Sequence, residues 1–243
     1  NLNGGHAEQY DRLPRGGTPL DAIARMAGAR MTLELCSFVQ DEASPAKHLF
    51  DTYGVPFQRL KLPVGLAATD AFLEALMALG YQPSESLKRA RSVLVDGMID
   101  AHKYNAQARA AVFGEPDFVE GMCALLVENG VAVPVAATGS RCPTLRARLA
   151  DTLGAQVASR GEAFEVRDDC DFDEIESMCR AHRVNLMVGS SDARRAAERL
   201  SVELIRCAFP IHDRVGGQRA RILGYDGALA ILETSANAML RHT

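Results

Sequence analysis

Hydrophobic residues in this chain alternate between short β-rich runs and longer stretches with helical spacing. The predicted strands are Met31–Phe38, Pro56–Leu60, Arg109–Phe113, Val131–Ala136, Phe164–Arg167, Leu186–Gly189 and Val202–Arg206. The predicted helices are Pro45–Tyr53, Ala68–Leu79, Ser84–Gln107, Pro116–Asn129, Pro143–Leu153, Phe172–His182, Asp192–Leu200 and Gly227–Arg241. Because short strands that alternate with helices build right-handed βαβ units, the pattern predicts an α/β fold with doubly wound parallel sheets.

Glycines mark the ends of several predicted helices, and one long helix separates the predicted strands into two groups. A glycine follows four of the predicted helical runs, where a left-handed residue commonly ends a helix: Gly54, Gly80, Gly130 and Gly154. The long helix Ser84–Gln107 separates two groups of strands, so we expect a domain boundary near residue 105. Residues 1–105 would form a partial βα domain, and residues 106–243 a complete one with a terminal helix. We expect the missing strands of the first domain to lie upstream of residue 1.

Composition narrows the class of protein. The chain has 243 residues, 47% hydrophobic and 24% charged, which suits a folded core and excludes a disordered chain. Its formal net charge of −4 argues against binding to nucleic acid or to a membrane surface. The sequence has neither an apolar run of the roughly 18–20 residues that a membrane helix needs nor a signal peptide at its start. We therefore expect a cytoplasmic protein with no nucleic-acid or membrane partner.

The six cysteines do not follow a metal-binding pattern. Zinc and simple iron–sulfur motifs place ligands about two to four residues apart, whereas the closest pair here, Cys170 and Cys179, is separated by eight residues. Cys36 and Cys123 lie in apolar segments and are expected to be buried, whereas Cys142, beside a proline, is expected to be exposed. Nucleotide-binding glycine motifs and a nucleophile elbow are also absent, so the chain alone is not expected to be an enzyme.

Asp96 and Asp100 lie on the long predicted helix, on the side opposite an apolar stripe. The stripe consists of Leu87, Leu94, Val95, Met98 and Ile99. Two carboxylates at positions i and i+4 repel each other unless a cation lies between them. One interpretation is a solvated face with Lys103 as the salt-bridge partner. The other is a carboxylate pair that contributes to a site for a hard cation and is completed by another chain or segment.

The segment Phe209–Arg219 concentrates charged residues and glycines just after a predicted strand. In α/β sheets this carboxyl edge is where ligands and partners bind. The residues expected at a subunit interface are His212, Asp213, Arg214 and Arg219. The alternative is a long ordered loop that internal salt bridges hold in place. The nearby turn Gly189–Asp192 is predicted to cap a helix rather than to bind phosphate.

Six segments, in this order, resemble motifs of β-type subunits in the nitrogenase component 1 superfamily. They are Leu13–Pro19, Leu62–Asp70, Leu94–Tyr104, Gly114–Val119, Phe209–Arg219 and Gly224–Ala228. The resemblance implies a subunit of three Rossmann-like domains, of which this chain would be the C-terminal half with two consecutive βα domains. It also implies an α-type partner subunit in a heterotetramer and an ATP-dependent iron–sulfur reductase as electron donor. The reaction expected of the complex is the reduction of a small, inert substrate at a metallocluster.

The same resemblance limits which cofactors this chain would bind. Cysteine ligands of the iron–sulfur cluster lie in the family's N-terminal half, so none of the six cysteines is expected to bind it. The family's α-type subunits bind the catalytic cofactor through a histidine shortly before the Gly-Tyr-Asp-Gly motif. Here that place is nearest Arg214, with His212 out of register. Asp96 and Asp100 match the Leu-Val-Asp-x-x-x-Asp helix that supplies ligands to a mononuclear iron or calcium ion between β chains.

Three functions are compatible with these observations. The first is a β-type subunit of a nitrogenase or nitrogenase-like reductase, which supports electron delivery to a metallocluster on the α-type partner. The second is a non-catalytic scaffold subunit for cofactor assembly. The third is an α/β ligand-binding domain with no redox role.

Overall fold

The computed structural model describes residues 18–161 and 163–241. These residues fold into two compact units, of which residues 18–34 and 40–58 form the smaller and residues 35–39 and 59–241 the larger. The long helix belongs to the larger unit. The domain boundary predicted near residue 105 therefore does not coincide with this division, and it stays a prediction about the longer subunit.

The smaller unit contains helix α1 (Leu20–Ala24), strand β1 (Thr32–Glu34), helix α2 (Pro45–Tyr53) and strand β2 (Phe57–Arg59), whose last residue belongs to the larger unit. The two strands pair with each other. Ser44 caps α2, because its hydroxyl accepts a hydrogen bond from Lys47 N at 3.0 Å. The same hydroxyl donates to the buried carboxylate of Glu34 at 2.6 Å. The sequence thus predicted the limits of α2 correctly.

The larger unit is built on a parallel sheet. Its helices before the sheet are α3 (Leu66–Ala78) and α4 (Glu85–Asn105). The sheet strands are β3 (Arg109–Phe113), β4 (Ala132–Ala137), β5 (Glu165–Arg167), β6 (Leu186–Gly189) and β7 (Glu203–Arg206). The remaining helices are α5 (Pro116–Glu128), α6 (Leu145–Arg160), α7 (Phe172–Ala181), α8 (Arg194–Leu200) and α9 (Gly224–Leu240).

The five strands follow the order β5-β4-β3-β6-β7, and every neighbouring pair is parallel. Val112 on the central strand lies between Ala136 and Val188. Helices α5, α6, α4 and α9 pack on one face of the sheet, and α7 and α8 pack on the other. This confirms the doubly wound α/β fold that the alternating pattern predicted.

Three glycines end helices in the left-handed conformation as predicted: Gly54, Gly80 and Gly130. Gly154 does not, because α6 continues through it to Arg160. The next turn of α6 is fixed by Gln156, whose side-chain amide exchanges two 2.8 Å hydrogen bonds with the backbone N–H and C=O of Val133. A tertiary contact therefore overrides the local tendency of Gly154 to end the helix.

The strand predicted at Met31–Phe38 is shorter in the structure, where β1 covers Thr32–Glu34. Residues 35–39 instead pack on the larger unit. The carboxylate of Asp117, at the start of α5, accepts hydrogen bonds from Ser37 N at 2.5 Å and from the Cys36 thiol at 3.0 Å. The Ser37 N–H and the Cys36 thiol thus bind a carboxylate at a helix start.

Helices α4 and α9 pack closely because glycine occupies the contact. A Cβ atom on Gly97 would lie 2.3 Å from a terminal methyl carbon of Leu229. At the end of the contact, the buried Asn105 amide donates to Leu232 O at 3.2 Å and to Asn129 Oδ1 at 2.7 Å. The α4 face that points away from α9 is therefore the one exposed to solvent.

The burial of two cysteines differs from the prediction. Cys142 is buried with 8% of its surface exposed, because its backbone N–H is held by Asp168 Oδ2 at 2.6 Å and its side chain joins the core. Cys36 is only half-buried, whereas the other five cysteines are buried. Within residues 18–161 and 163–241, none of the helices is both long and apolar enough to cross a membrane.

Candidate functional site

Asp96 and Asp100 both lie on the exposed face of α4. Neither carboxylate has a hydrogen bond or ion pair with a residue that the structure describes. Lys103, the expected salt-bridge partner, instead places its ammonium group 4.7 Å from the centre of the Tyr104 ring. The solvated-face interpretation is therefore wrong about the salt bridge of Lys103, and both exposed aspartates lack an ion pair with a described residue.

The apolar stripe of α4 is narrower than predicted. Leu94 is buried and Met98 packs against the core, but Ile99 is 72% exposed. Val93 on the same helix is 48% exposed. Large apolar side chains therefore flank the aspartates on the outer face of α4, a composition that is usual at protein interfaces.

Asp96 and Asp100 form no metal site with a third acidic or metal-binding side chain from the described part of the chain. Among the residues with described positions, no group of three His, Cys, Asp or Glu side chains converges as a set of metal ligands. Helix α4 can thus offer two carboxylates to a cation, and any further ligands would have to come from outside the described residues.

The predicted interface loop begins directly after β7, and Asp213 is its internal anchor. The guanidinium group of Arg206 contacts this carboxylate through Nε at 2.8 Å from both oxygens and through a terminal nitrogen at 2.7 Å. Both side chains are 13% exposed. The hydrogen bonds from Arg206 lower the pKa of Asp213 below its usual value. The loop is therefore held in part by an internal salt bridge, as the alternative interpretation predicted.

Ser191 holds the start of the same loop. Its hydroxyl donates to Pro210 O at 3.1 Å and accepts from His212 N at 2.9 Å. The turn Gly189–Asp192 was predicted to cap a helix. In the structure, the 3-10 turn Ser191–Ala193 has no side-chain cap. The imidazole of His212 is 71% exposed and lies 3.9 Å from Asp192.

Arg214 and Arg219 lie exposed on this loop. A terminal nitrogen of Arg214 donates to Asp213 O at 3.0 Å, but neither guanidinium group forms a salt bridge with a described carboxylate. Sequence reasoning missed Arg206, because the strand pattern alone does not show that this side chain turns toward the loop. The charged residues that follow β7 in the sequence were the feature that pointed to a salt bridge there.

A third cluster joins the end of the segment Leu62–Asp70 to the start of the segment Gly224–Ala228. Asp70 on α3 accepts two bonds from Nε of Arg91, at 2.9 and 3.1 Å, and one from a terminal nitrogen at 2.7 Å. The hydroxyl of the buried Tyr225, on α9, donates to the same carboxylate at 2.5 Å. Arg91 lowers the pKa of Asp70, while burial and the Asp70 bond raise the pKa of Tyr225 to about 12. This cluster ties α3, α4 and α9 together.

The buried thiols are poorly suited to bind metal. Burial raises the pKa of Cys179 and of Cys207 to about 12, and it also raises that of Cys123. A metal ligand must be the thiolate, so these residues serve as small apolar groups in the core.

Comparison with known proteins gives a consistent result. The family model described as "Nitrogenase component 1 type Oxidoreductase" matches residues 6–240. The β chain of the nitrogenase molybdenum–iron protein of Clostridium pasteurianum is 30% identical over 241 residues, 98% of this chain and 51% of that protein. The nitrogenase iron–molybdenum cofactor biosynthesis protein NifN of Rhodobacter capsulatus is 30% identical over 240 residues, 98% of this chain and 49% of that protein.

A solved structure, described as nitrogenase Cp1 at pH 6.5, has the same fold. It superimposes with a TM-score of 0.88 and 28% sequence identity, over 99% of this chain and 52% of that one. The chain thus spans about half the length of the relatives that it matches.

Proposed function

Because this chain belongs to the nitrogenase component 1 type oxidoreductases, we propose that it is part of a β-type subunit of a nitrogenase or nitrogenase-like reductase. In this role it supports ATP-dependent, reductase-driven electron delivery to a metallocluster on an α-type partner. The observation that carries the proposal is the likeness to a nitrogenase structure, which extends over 99% of the chain with a TM-score of 0.88.

The partners in this proposal are an α-type subunit, in a heterotetramer, and an iron–sulfur reductase protein. Two exposed surfaces favour an assembled state. One is the α4 face with Asp96, Ile99 and Asp100, and the other is the loop after β7 with His212 and Arg214. We also propose the cytoplasm as the compartment, since all six cysteines are free thiols, as is usual in a reducing environment.

The iron–sulfur cluster of the assembled complex would be bound by residues outside this chain segment. Among the described residues, the cysteines do not come together with other metal-binding side chains in a group of three or more. In this proposal the role of the chain is structural, because it provides surfaces on which the partners assemble.

Asp96 and Asp100 do fit a mononuclear cation at a subunit contact. Their carboxylates are exposed together, without a counter-charge, beside the apolar Ile99. If a second subunit covers this face, two desolvated carboxylates need a cation, because an unpaired buried charge costs several kcal/mol. Calcium or ferrous iron accepts oxygen ligands of this kind, and either ion would cross-link the subunits electrostatically.

The second candidate function is a non-catalytic scaffold for cofactor assembly. The observation that favours it is the 30% identity to NifN over 98% of the chain, which equals the identity to the nitrogenase β chain. Both proteins would share the fold and the subunit pairing, so the difference lies in what the assembled complex does with its clusters.

The deciding experiment uses the full-length subunit, produced with its α-type partner. We would measure iron content, the electronic absorption spectrum, and substrate reduction with reductase and ATP. Turnover that requires the reductase supports the reductase function. Cluster transfer to an apo-protein without turnover supports the scaffold. A single, colourless chain that associates with no α-type subunit would contradict both, and the chain by itself is expected to be inactive.

A further inference from the structure

The loop after β7 has one acidic residue, and this residue forms a salt bridge within the chain. Asp213 is the only carboxylate in Phe209–Arg219, and the buried Arg206 salt bridge occupies it. The charges that the loop still presents to solvent are therefore cationic. Arg214 and Arg219 are exposed, and neither forms a salt bridge with a described residue.

Arg195, on α8, adds another exposed positive charge next to this loop. It lines a cavity of about 390 Å³ together with His212 and Asp213, so it lies next to the loop. Its guanidinium group is exposed and has no salt bridge with any residue in the described part of the chain. The neighbouring carboxylates are already paired: Glu198 with Arg194, Asp226 with Arg221, and Glu203 with Arg241. Among the described residues, the exposed Asp192 also lies beside Arg195, and its only salt-bridge contact is the 3.9 Å one to His212.

The tip of the loop adds an apolar contact point. Val215 is fully exposed, and it lines a second cavity, of about 510 Å³, on the α9 side of the loop. Phe209, at the start of the loop, is 66% exposed. Charged groups around an exposed apolar side chain form the usual composition of a protein-binding surface. We refer to Arg195, Arg214, Arg219 and Val215 as the cationic face.

We propose that the cationic face docks an acidic protein surface that encloses the side chain of Val215. The inference rests on the proposed function, in which this chain is a subunit, and it names the chemistry of the partner surface. The whole chain carries a formal net charge of −4, so the cationic face differs in sign from the chain as a whole. The cationic face therefore attracts and orients such a partner, which acts mainly on the rate of association.

The test compares the assembly of the full-length wild-type subunit with that of the variant Arg195→Glu/Arg214→Glu/Arg219→Glu. Association with the purified α-type subunit is followed by light scattering at ionic strengths of about 0.05 M and 0.5 M, where the Debye length falls several-fold. We expect the association rate of the variant to be about tenfold lower or more at low salt, and the difference to shrink at high salt. A merely structural effect would persist at both salt concentrations.

A matched control carries the same change of charge elsewhere. The variant Arg141→Glu/Arg146→Glu/Arg183→Glu replaces three exposed arginines that also lack a salt bridge with a described residue. It should associate within about threefold of the wild-type rate, since steering depends on charge at the contact. Val215→Ala should shorten the lifetime of the complex at both salt concentrations.

The outcomes separate the two ideas. Slow, salt-sensitive assembly of the cationic-face variant alone supports the inference. Equal assembly of that variant and of wild type overturns the inference and leaves the proposed function in place. An equal loss in the control variant also overturns it, because net charge would then explain the effect. A wild-type subunit that does not assemble with an α-type subunit overturns both.

Discussion

Replacing Tyr225 with phenylalanine removes one hydroxyl group and leaves the buried ring in place. The ring is 4% exposed, and its hydroxyl donates to Asp70 at 2.5 Å. A hydrogen bond to a charged group contributes about 1.5–3 kcal/mol. Here the carboxylate is 27% exposed and keeps its bonds to Arg91, so solvent and arginine both compensate. We expect Tyr225→Phe to lower the free energy of unfolding by about 1–2 kcal/mol.

The loss should depend on pH in both directions. Since Arg91 lowers the pKa of Asp70 in the folded state, the charged acceptor is stabilising at neutral pH and is lost as the pH falls below about 4. The pKa of Tyr225 is raised to about 12 when folded, so the unfolded chain ionises first as the pH rises above about 10. The stability difference between wild type and Tyr225→Phe should therefore be largest between about pH 5 and 9 and shrink outside this range.

The assay is urea unfolding followed by circular dichroism, with thermal unfolding as a second measure. For a chain of this size, the loss corresponds to a decrease of about 2–8 °C in the melting temperature. The control is Tyr81→Phe, which removes the same atom from a side chain that is 63% exposed, and it should change stability by less than about 0.5 kcal/mol. An equal loss in both variants, or a loss for Tyr225→Phe that does not change with pH, would refute the reasoning.

Three further predictions concern other parts of the molecule. Asp96→Asn combined with Asp100→Asn should loosen the assembled complex and make it insensitive to chelator while the iron–sulfur cluster content stays the same, as native mass spectrometry would show; equal dissociation of wild type and variant, with and without chelator, would contradict this. Gly227→Ala should cost about 1–3 kcal/mol in urea unfolding, because its Cβ would lie 2.5 Å from the carbonyl carbon of Ile222; unchanged stability would argue against that contact. Brief alkylation of the folded protein should modify Cys36 before the five buried cysteines, and a different first site by peptide mapping would show that the burial is wrong.

The sequence by itself determined the elements and their limits wherever the cause is local. Ser44 caps α2, which begins at Pro45 as the pattern predicts, and Gly54 ends this helix in the left-handed conformation. The alternation of strands and helices implied a parallel sheet, because a crossover helix returns the chain in the same direction. The order of the motifs likewise indicated the family that the comparisons show.

Only the tertiary structure decided which side chains meet across the fold. Gly154 looks like a helix end, yet α6 continues because Gln156 binds a neighbouring strand. Ile99 fits an apolar stripe, yet it faces solvent.

The exposed charges of the loop after β7 are another feature that the sequence alone does not show. Its sequence contains Asp213 and two arginines without indicating which charge is available to a partner. The structure pairs Asp213 with Arg206 and leaves Arg214 exposed, so the loop presents positive charge. Helix caps and turns depend on residues that are neighbours along the chain, so they can be recognised in the sequence. Burial and charge pairing depend on distances between residues that are far apart in sequence, and only the folded chain fixes these distances.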